Sequence, residues 1–191
     1  MNLSLLLQTI NSITPLSNDL MHRLGNMLKE ESFAKREHLV REGQVAKRIY
    51  FIQEGFARAY YFHHEKEFTN WFMGTGDFMI SIYSFFTQQP ALENIELLEN
   101  TVVYSLTWAQ LQSLYKDFPE FNIVGRVLTE KYYMMSEERS ILLRTMSATD
   151  RYHLLVERYP QILLRAKLGQ VASYLAISQE TLSRIRANKN I

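Results

Sequence analysis

Leu168-Gly-Gln-Val-Ala-Ser-Tyr-Leu-Ala-Ile-Ser-Gln-Glu-Thr-Leu-Ser-Arg-Ile-Arg186 is the stretch on which the reading of this chain turns. It predicts two short helices joined by a tight turn. Gln170 to Leu175 form the first, with Val171, Ala172 and Leu175 as its apolar face; Ala172 is small, as a close helix crossing requires. Ala176 and Ile177 make the turn, with Ile177 a buried pin. Ser178 is a strong N-cap for the second helix. Leu182 and Ile185 then face inward at helical spacing. That leaves Gln179, Glu180, Ser183, Arg184 and Arg186 on the outer side of a predicted helix-turn-helix.

Such a surface suits double-stranded DNA. A recognition helix enters the major groove with its N-terminal residues at the base edges. There Gln can pair bidentately with adenine, Arg with guanine, and Glu can accept from the cytosine amino group. Ser178 and Thr181, beside the positive helix N-terminus, are placed for phosphate. Arg186 and Lys189 add positive charge at the trailing end. A small helical hairpin that merely caps a domain would show the same pattern. Charge separates the two readings a little. Residues 1–130 hold 11 Lys/Arg and 15 Asp/Glu, whereas residues 131–191 hold 10 and 5, so a net charge of +1 conceals −4 followed by +5. A basic C-terminal part fits a polyanion partner.

Working back toward the N-terminus, Pro160 interrupts a helix over Arg151–Tyr159, and Ser147-Ala-Thr-Asp150 ends one helix and caps the next. Pro119 opens a long helix. With Phe121, Leu128, Met135 and Leu142 at d, the a positions are Gly125, Tyr132, Arg139 and Met146, and six of these eight are apolar. A stripe of that period makes a coiled-coil seam, which predicts a homodimer through residues 119–147. A helix packed on its own domain needs a similar stripe, and Gly125 and Arg139 interrupt the seam.

Between Phe33 and Leu106 short β-rich runs alternate with turns: His38–Arg41, Ile49–Ile52, Phe56–Phe62, Phe68–Phe72 and Thr101–Leu106. Gly43, Gly55, Gly74 and Gly76 stand where positive φ is expected. Many short strands imply an antiparallel barrel or sandwich. The strand pattern lapses between Asp77 and Glu99, which predicts an inserted helix or loop. Residues 1–32 read as helical, with Leu3, Leu6, Leu7 and Ile10 on one face, a break at Pro15, and a new N-cap at Ser17-Asn18-Asp19. Trp108–Tyr115 reads as a short helix. The expected class is α+β: an antiparallel β-roll with flanking helices, a long dimerisation helix and a C-terminal helix-turn-helix. The expected units are 1–118 as sensor, 119–147 as dimerisation helix and 148–191 as DNA-binding domain.

Composition bounds the rest. With 191 residues, 47% of them hydrophobic, the chain can bury a sizeable core. It has no Cys, which excludes disulfides, thiol chemistry and Cys-ligated zinc or iron–sulfur sites and suits a reducing cytoplasm. The N-terminus lacks a basic n-region and a cleavage site, and no apolar run is long enough to span a bilayer, so the expectation is a cytoplasmic protein without a membrane partner.

The order of β-roll, long helix and terminal helix-turn-helix resembles the Crp/Fnr transcription regulators over nearly the whole chain. Ser178–Arg186, SQETLSRIR, is similar to the family's recognition helix, and ASYLAIS, ending at Ser178, to its first helix and turn. IYFIQEGFARAYYF resembles the strand-Gly-strand signature of cyclic-nucleotide-binding domains, and GTGDFM the entry to their phosphate-binding segment. The resemblance implies a homodimer that responds to a small effector and alters RNA polymerase recruitment. It implies base reading by Glu180 and Arg184 and phosphate contacts by Ser178 and Thr181. Gln179 stands where the cyclic AMP receptor protein has Arg, which implies a different operator.

Three departures follow. The family's Gly-Glu falls on Ile80-Ser81, its phosphate-binding Arg falls within Pro90–Ile95, and no Lys or Arg occurs from Glu67 to Tyr115. A cyclic phosphate facing Glu93 would be repelled. No cyclic AMP binding in the family manner is therefore expected, and the effector is left unassigned. The absence of Cys excludes an Fnr-like iron–sulfur sensor. The chain ends five residues after Arg186, so no β-hairpin wing is expected there.

Other constellations are weaker. His63-His64-Glu65 with Glu67 could hold a metal, as in cupin-like enzymes on a related barrel. Adjacent strand residues point to opposite faces, however, so an exposed polar turn without metal is expected. Tyr60, Tyr61, Phe62, Phe68, Trp71, Phe72, Phe78, Tyr83, Phe85 and Phe86 either line an apolar effector pocket or, in larger part, fill the barrel core. There is no phosphate loop, nucleophile elbow or catalytic dyad, so neither a cofactor nor an enzymatic activity is expected. The rival readings are a ligand-binding β-roll whose last helices serve protein contacts only, and a cupin-like metalloenzyme.

Overall fold

A computed structural model describes residues 2–188 of the chain. Two helices come first, α1 (Ser4–Asn11) and α2 (Asn18–Met27). Eight strands follow: β1 (Lys29–Phe33), β2 (His38–Val40), β3 (Arg48–Glu54), β4 (Phe56–His63), β5 (Lys66–Gly74), β6 (Phe78–Met79), β7 (Asn94–Leu97) and β8 (Thr101–Thr107). A short helix, α3 (Ile82–Thr87), interrupts them between β6 and β7. Six more complete the described chain: α4 (Trp108–Asp117), α5 (Pro119–Thr145), α6 (Ala148–Arg158), α7 (Ile162–Arg165), α8 (Leu168–Tyr174) and α9 (Gln179–Ala187).

The strands form two antiparallel four-stranded sheets, ordered β1-β8-β3-β6 and β2-β7-β4-β5. Strands β3 and β4 are buried over consecutive residues rather than alternately, and Phe51, Ile52, Ala57, Ile95, Leu97 and Val103 belong to one core. Leu6 and Ile10 of α1 and Leu20 and Leu24 of α2 close one end of this core. Ser17 caps α2 by accepting from the Leu20 N–H at 3.3 Å, and Thr107 with Gln110 forms a capping box on α4.

Three local expectations are corrected. The chain is not helical through residue 32: Lys29–Phe33 is a strand paired with Thr101–Ser105. Its charged Lys-Glu-Glu run suits a sheet edge facing water. The lapse after Asp77 contains α3 but also strands β6 and β7, too short to show alternation. Gly43, Gly55 and Gly76 take positive φ, but Gly74 ends β5. Gly55 has φ 129°, and a Cβ there would collide with the side chain of Thr101.

The long helix uses its predicted stripe inside its own chain. Phe121 is buried in the roll's core, and Leu128 and Tyr132 pack against that core. The Tyr132 hydroxyl accepts the Phe78 N–H at 2.9 Å, and burial pushes its phenol pKa up to about 12. Met135, Arg139 and Leu142 line a cleft facing the terminal helices. The stripe is therefore not a free seam, because the β-roll supplies the apolar surface that a partner helix would have covered. The large hydrophobic residues left exposed on α5 are others: Ile123, Tyr133, Met134 and Ile141.

Gly125 also has a local cause, since a Cβ there would press on the ring and hydroxyl of Tyr115 from α4. Gly125→Ala should thus lower stability by about 1–3 kcal/mol through overpacking, although helix propensity alone favours Ala by about 1 kcal/mol. Thermal unfolding of the two proteins decides between these signs.

Candidate nucleic-acid interface

A second core forms around the last four helices. Leu182 is fully buried among Tyr152, Leu155, Ile162, Val171, Ala172 and Leu175, joined by Phe56 and Leu98 from the β-roll. The first helix of the predicted pair begins two residues earlier than expected, at Leu168, with the Gln170 side chain accepting the Lys167 N–H at 2.9 Å. Between α8 and α9 the chain reverses through Ala176, which takes φ 54°, a left-handed conformation unusual for a residue with a Cβ. Ile177 is half-buried against the second core, a partial pin.

Ser178 caps α9, its hydroxyl accepting the Thr181 N–H at 3.1 Å. Gln179, Glu180, Ser183, Arg184 and Arg186 are all exposed, whereas Thr181 is half-buried and Ile185 is turned toward the second core. The structure thus places these predicted side chains on the outward side of one helix. Lys189 lies outside the described residues. The hydroxyls of Ser178 and Thr181 stand 3.2 Å apart, and an Arg184 nitrogen is 3.4 Å from Thr181 Oγ1. A hydrogen bond from Ser178, the helix-start backbone and nearby Arg184 lower the pKa of Glu180. It therefore stays an ionised acceptor at the N-terminus of α9, beside a donor fork.

Sequence reasoning missed how firmly this unit is held. Ser173 of α8 sits against the free edge of β5: its hydroxyl accepts the Thr69 N–H at 2.9 Å and donates to the Glu67 carbonyl at 3.1 Å. Arg139 donates to the Tyr174 carbonyl at 2.8 Å, and Arg151 to the Leu175 carbonyl at 3.0 Å. Two guanidinium groups thus satisfy the open carbonyls at the negative end of α8. Arg165 pairs with Glu99, donates to the Gly55 carbonyl at 3.0 Å, and lies 4.3 Å over the Phe56 ring. Arg158 forms a fork with Glu138 of α5. These arginines carried no local signal, because their partners are far away in sequence.

In the roll, burial pushes the Glu93 carboxyl up, with Ser81 opposing. The Ser84 hydroxyl accepts the Ala46 N–H at 2.8 Å, and Phe85 is fully buried beside it. The aromatic run is divided. Tyr60 and Phe85 are buried; Trp71, Phe72 and Phe78 are half-buried; Tyr61, Phe62, Phe68, Tyr83 and Phe86 are exposed. Half of the run is therefore outside the core: Tyr61, Phe62 and Phe68 lie on the β4–β5 hairpin, where Tyr61 stacks on Phe68 at 5.8 Å, and Tyr83 and Phe86 lie on the outer side of α3. His63 and His64 do approach, with rings 4.2 Å apart. His64 and Glu65 form a tight turn, both at positive φ, so strand alternation does not govern them. Among the described residues, no group of three His, Asp or Glu side chains could hold a metal ion. No helix among them is long and apolar enough to cross a membrane.

Residues 30–118 match the model of the cyclic nucleotide-binding domain family. No curated protein sequence matches the chain. Solved structures with the same fold include FixK2 from Bradyrhizobium japonicum, at 19% identity over 84% of this chain and 83% of that one, with a TM-score of 0.72. The c-di-GMP-responsive global regulator CLP of Xanthomonas campestris is 16% identical over 91% of each chain, with a TM-score of 0.69. A Eubacterium rectale protein assigned to the crp/fnr family of transcriptional regulators is 14% identical over 91% of this chain and 83% of its own, with a TM-score of 0.71.

Proposed function

We propose that this chain, a cyclic nucleotide-binding β-roll carried in the fold of Crp/Fnr-type regulators, is a sequence-specific DNA-binding transcription regulator rather than an enzyme. One observation carries the reading: α9 is capped by Ser178 and turns Gln179, Glu180, Ser183 and Arg184 outward together. Gln179, Glu180 and Arg184 read base edges; Ser178, Thr181 and Ser183 contact backbone or bases; Arg186 and Lys189 add phosphate contacts. The working units are 1–118 as sensor, 119–147 as dimerisation helix and 148–191 as DNA-binding domain.

The protein acts in the cytoplasm as a homodimer, with RNA polymerase as the partner on the promoter. The exposed residues Ile123, Met134 and Ile141 of α5 suit the pairing face. Two recognition helices about 34 Å apart would then read a near-palindrome. Cyclic AMP is not the effector, since the segment where the family's phosphate-binding Arg falls holds the half-buried carboxyl of Glu93 instead, and no Lys or Arg lies from Glu67 to Tyr115.

Selection of bound DNA from a random pool tests the proposal. The expected product is a near-palindromic site whose affinity falls linearly with salt on logarithmic axes. Recovery of no consensus would overturn it. Calorimetry with cyclic AMP should show no stoichiometric heat, and tight binding would return the roll to the family's usual ligand.

A further inference from the structure

A cleft of about 380 Å³ opens where the β-roll, α5 and the terminal helices meet. Trp71 from β5, Met135 and Leu142 from α5, Leu154 from α6 and Tyr174 from α8 give it apolar and aromatic walls. Its volume falls in the range of roughly 300–1,000 Å³ typical of small-molecule sites. Four cations and two carboxylates also line it. Arg158 is paired with Glu138, and Lys131 lies near enough to Asp77 to favour its ionised form. Arg139 and Arg151 remain without a carboxylate within 4.0 Å among the described residues. Arg151 spends its nitrogens on the Leu175 and Met146 carbonyls.

Arg139 is different. Its guanidinium lies 3.8 Å from the centre of the Tyr174 ring and 5.9 Å from that of Trp71. It makes one hydrogen bond, from Nη2 to the Tyr174 carbonyl. Among the described residues its Nε and Nη1 have no partner. Partial burial lowers its pKa, against the opposing influence of Tyr174. A guanidinium seated on aromatic faces beside an apolar cleft, with Nε and Nη1 open to the cleft, can take a planar anion.

We propose that this cleft binds a small organic carboxylate, its acid group on Arg139 and its apolar body against Met135, Leu142 and Leu154. A carboxylate matches the planar fork of Arg and completes its donors bidentately. Asp77 and Glu138 each stand beside a cation, so Arg139 is the lining cation with donors to spare, which suits a singly charged, planar anion. The site lies outside the 80–95 segment, where the family's phosphate would go. The occupant touches the roll, α5, α6 and α8 together and so adds contacts across the joint that holds the DNA-binding unit. As an effector site the cleft rests on the regulator reading above; as a ligand site it does not.

Trp71 is a built-in reporter. In a Trp108→Phe background, the chain's other Trp being removed, titration with octanoate and 4-phenylbutyrate should change Trp71 emission and saturate below about 1 mM. 1-Octanol and 4-phenylbutan-1-ol should bind roughly ten- to a hundred-fold more weakly, the scale of a charged hydrogen bond. Arg139→Gln should bring each acid down to the affinity of its alcohol. Leu142→Phe, which fills the apolar wall and leaves Arg139 in place, should weaken acids and alcohols together. Equal binding of acid and alcohol, displacement of the acids by inorganic phosphate, or no saturable signal from either acid overturns the proposal. The measurement contains no DNA, so its failure leaves the regulator reading standing, and failure of DNA selection leaves the carboxylate site standing.

Discussion

Replacing Arg58 with methionine is expected to lower the unfolding free energy by about 3–5 kcal/mol, the cost of breaking a buried ion pair from one side. The Arg58 side chain is 4% exposed. Its Nε donates to Glu96 at 2.8 Å, its Nη2 to Glu67 at 2.6 Å, and its plane lies 4.0 Å from the Tyr60 ring centre. Methionine keeps most of the stem's volume but leaves both carboxylates facing each other across an apolar side chain. Glu67, 43% exposed, can swing into water; Glu96, at 15%, cannot, so Glu96 carries most of the cost. The loss is a large part of the roughly 5–15 kcal/mol that stabilises an ordinary domain. Urea unfolding at neutral pH measures it, and adding Glu96→Gln to Arg58→Met should return part of the loss. A single variant within about 0.5 kcal/mol of the native protein, as for an ordinary surface change, would remove the cluster from the fold's energetics. The effect should also spread, because Arg58 touches Thr69 and Glu67, the two residues on which Ser173 rests.

The second large effect falls on DNA binding. Arg184→Ala should cost about 1–3 kcal/mol per half-site, hence about 2–6 kcal/mol for a dimer on a two-fold site, and relax selectivity at one base pair in each half. Arg184 is exposed in the last turn of α9, and among the described residues its hydrogen bonding is a long 3.4 Å contact to Thr181, so its removal should leave the fold intact. Arg186→Ala is the contrast: loss of a phosphate contact should weaken all sequences alike and flatten the salt dependence by about one unit of slope per half-site. Gel shifts on a selected operator, at several salt concentrations, separate the two. Unchanged binding by Arg184→Ala would mean that α9 is not the reading helix.

The sequence was most legible where the signal is local. Ser178 as a cap, Leu182 as a core residue and the outward face of α9 follow from helical spacing. The five β-rich runs follow from β-branched and aromatic runs between turns. What could not be read is pairing over distance. The Lys29–Phe33 strand is mostly charged and takes its identity from β8, some seventy residues away. The heptad stripe of α5 was visible, but periodicity shows that a face is covered without saying by what. Its two interruptions carried the information: Gly125 makes room for Tyr115, and Arg139 reaches the end of α8. The clamp of Ser173, Arg139, Arg151 and Arg165 was illegible for the same reason, since each partner is a backbone carbonyl, a strand edge or a remote carboxylate.

The seat of Ser173 on β5 has a consequence for the protein's solution behaviour. β5 ends its sheet, and an uncovered strand edge is a template for another chain. Here α8 lies along that edge and takes up an N–H and a carbonyl that would otherwise face outward. Undocking of the terminal helices would therefore expose a backbone ladder beside the exposed rings of Tyr61, Phe62 and Phe68. Loosening α8 should therefore favour strand-edge pairing between copies of the chain, so the contacts that hold α8 in place should also oppose self-association.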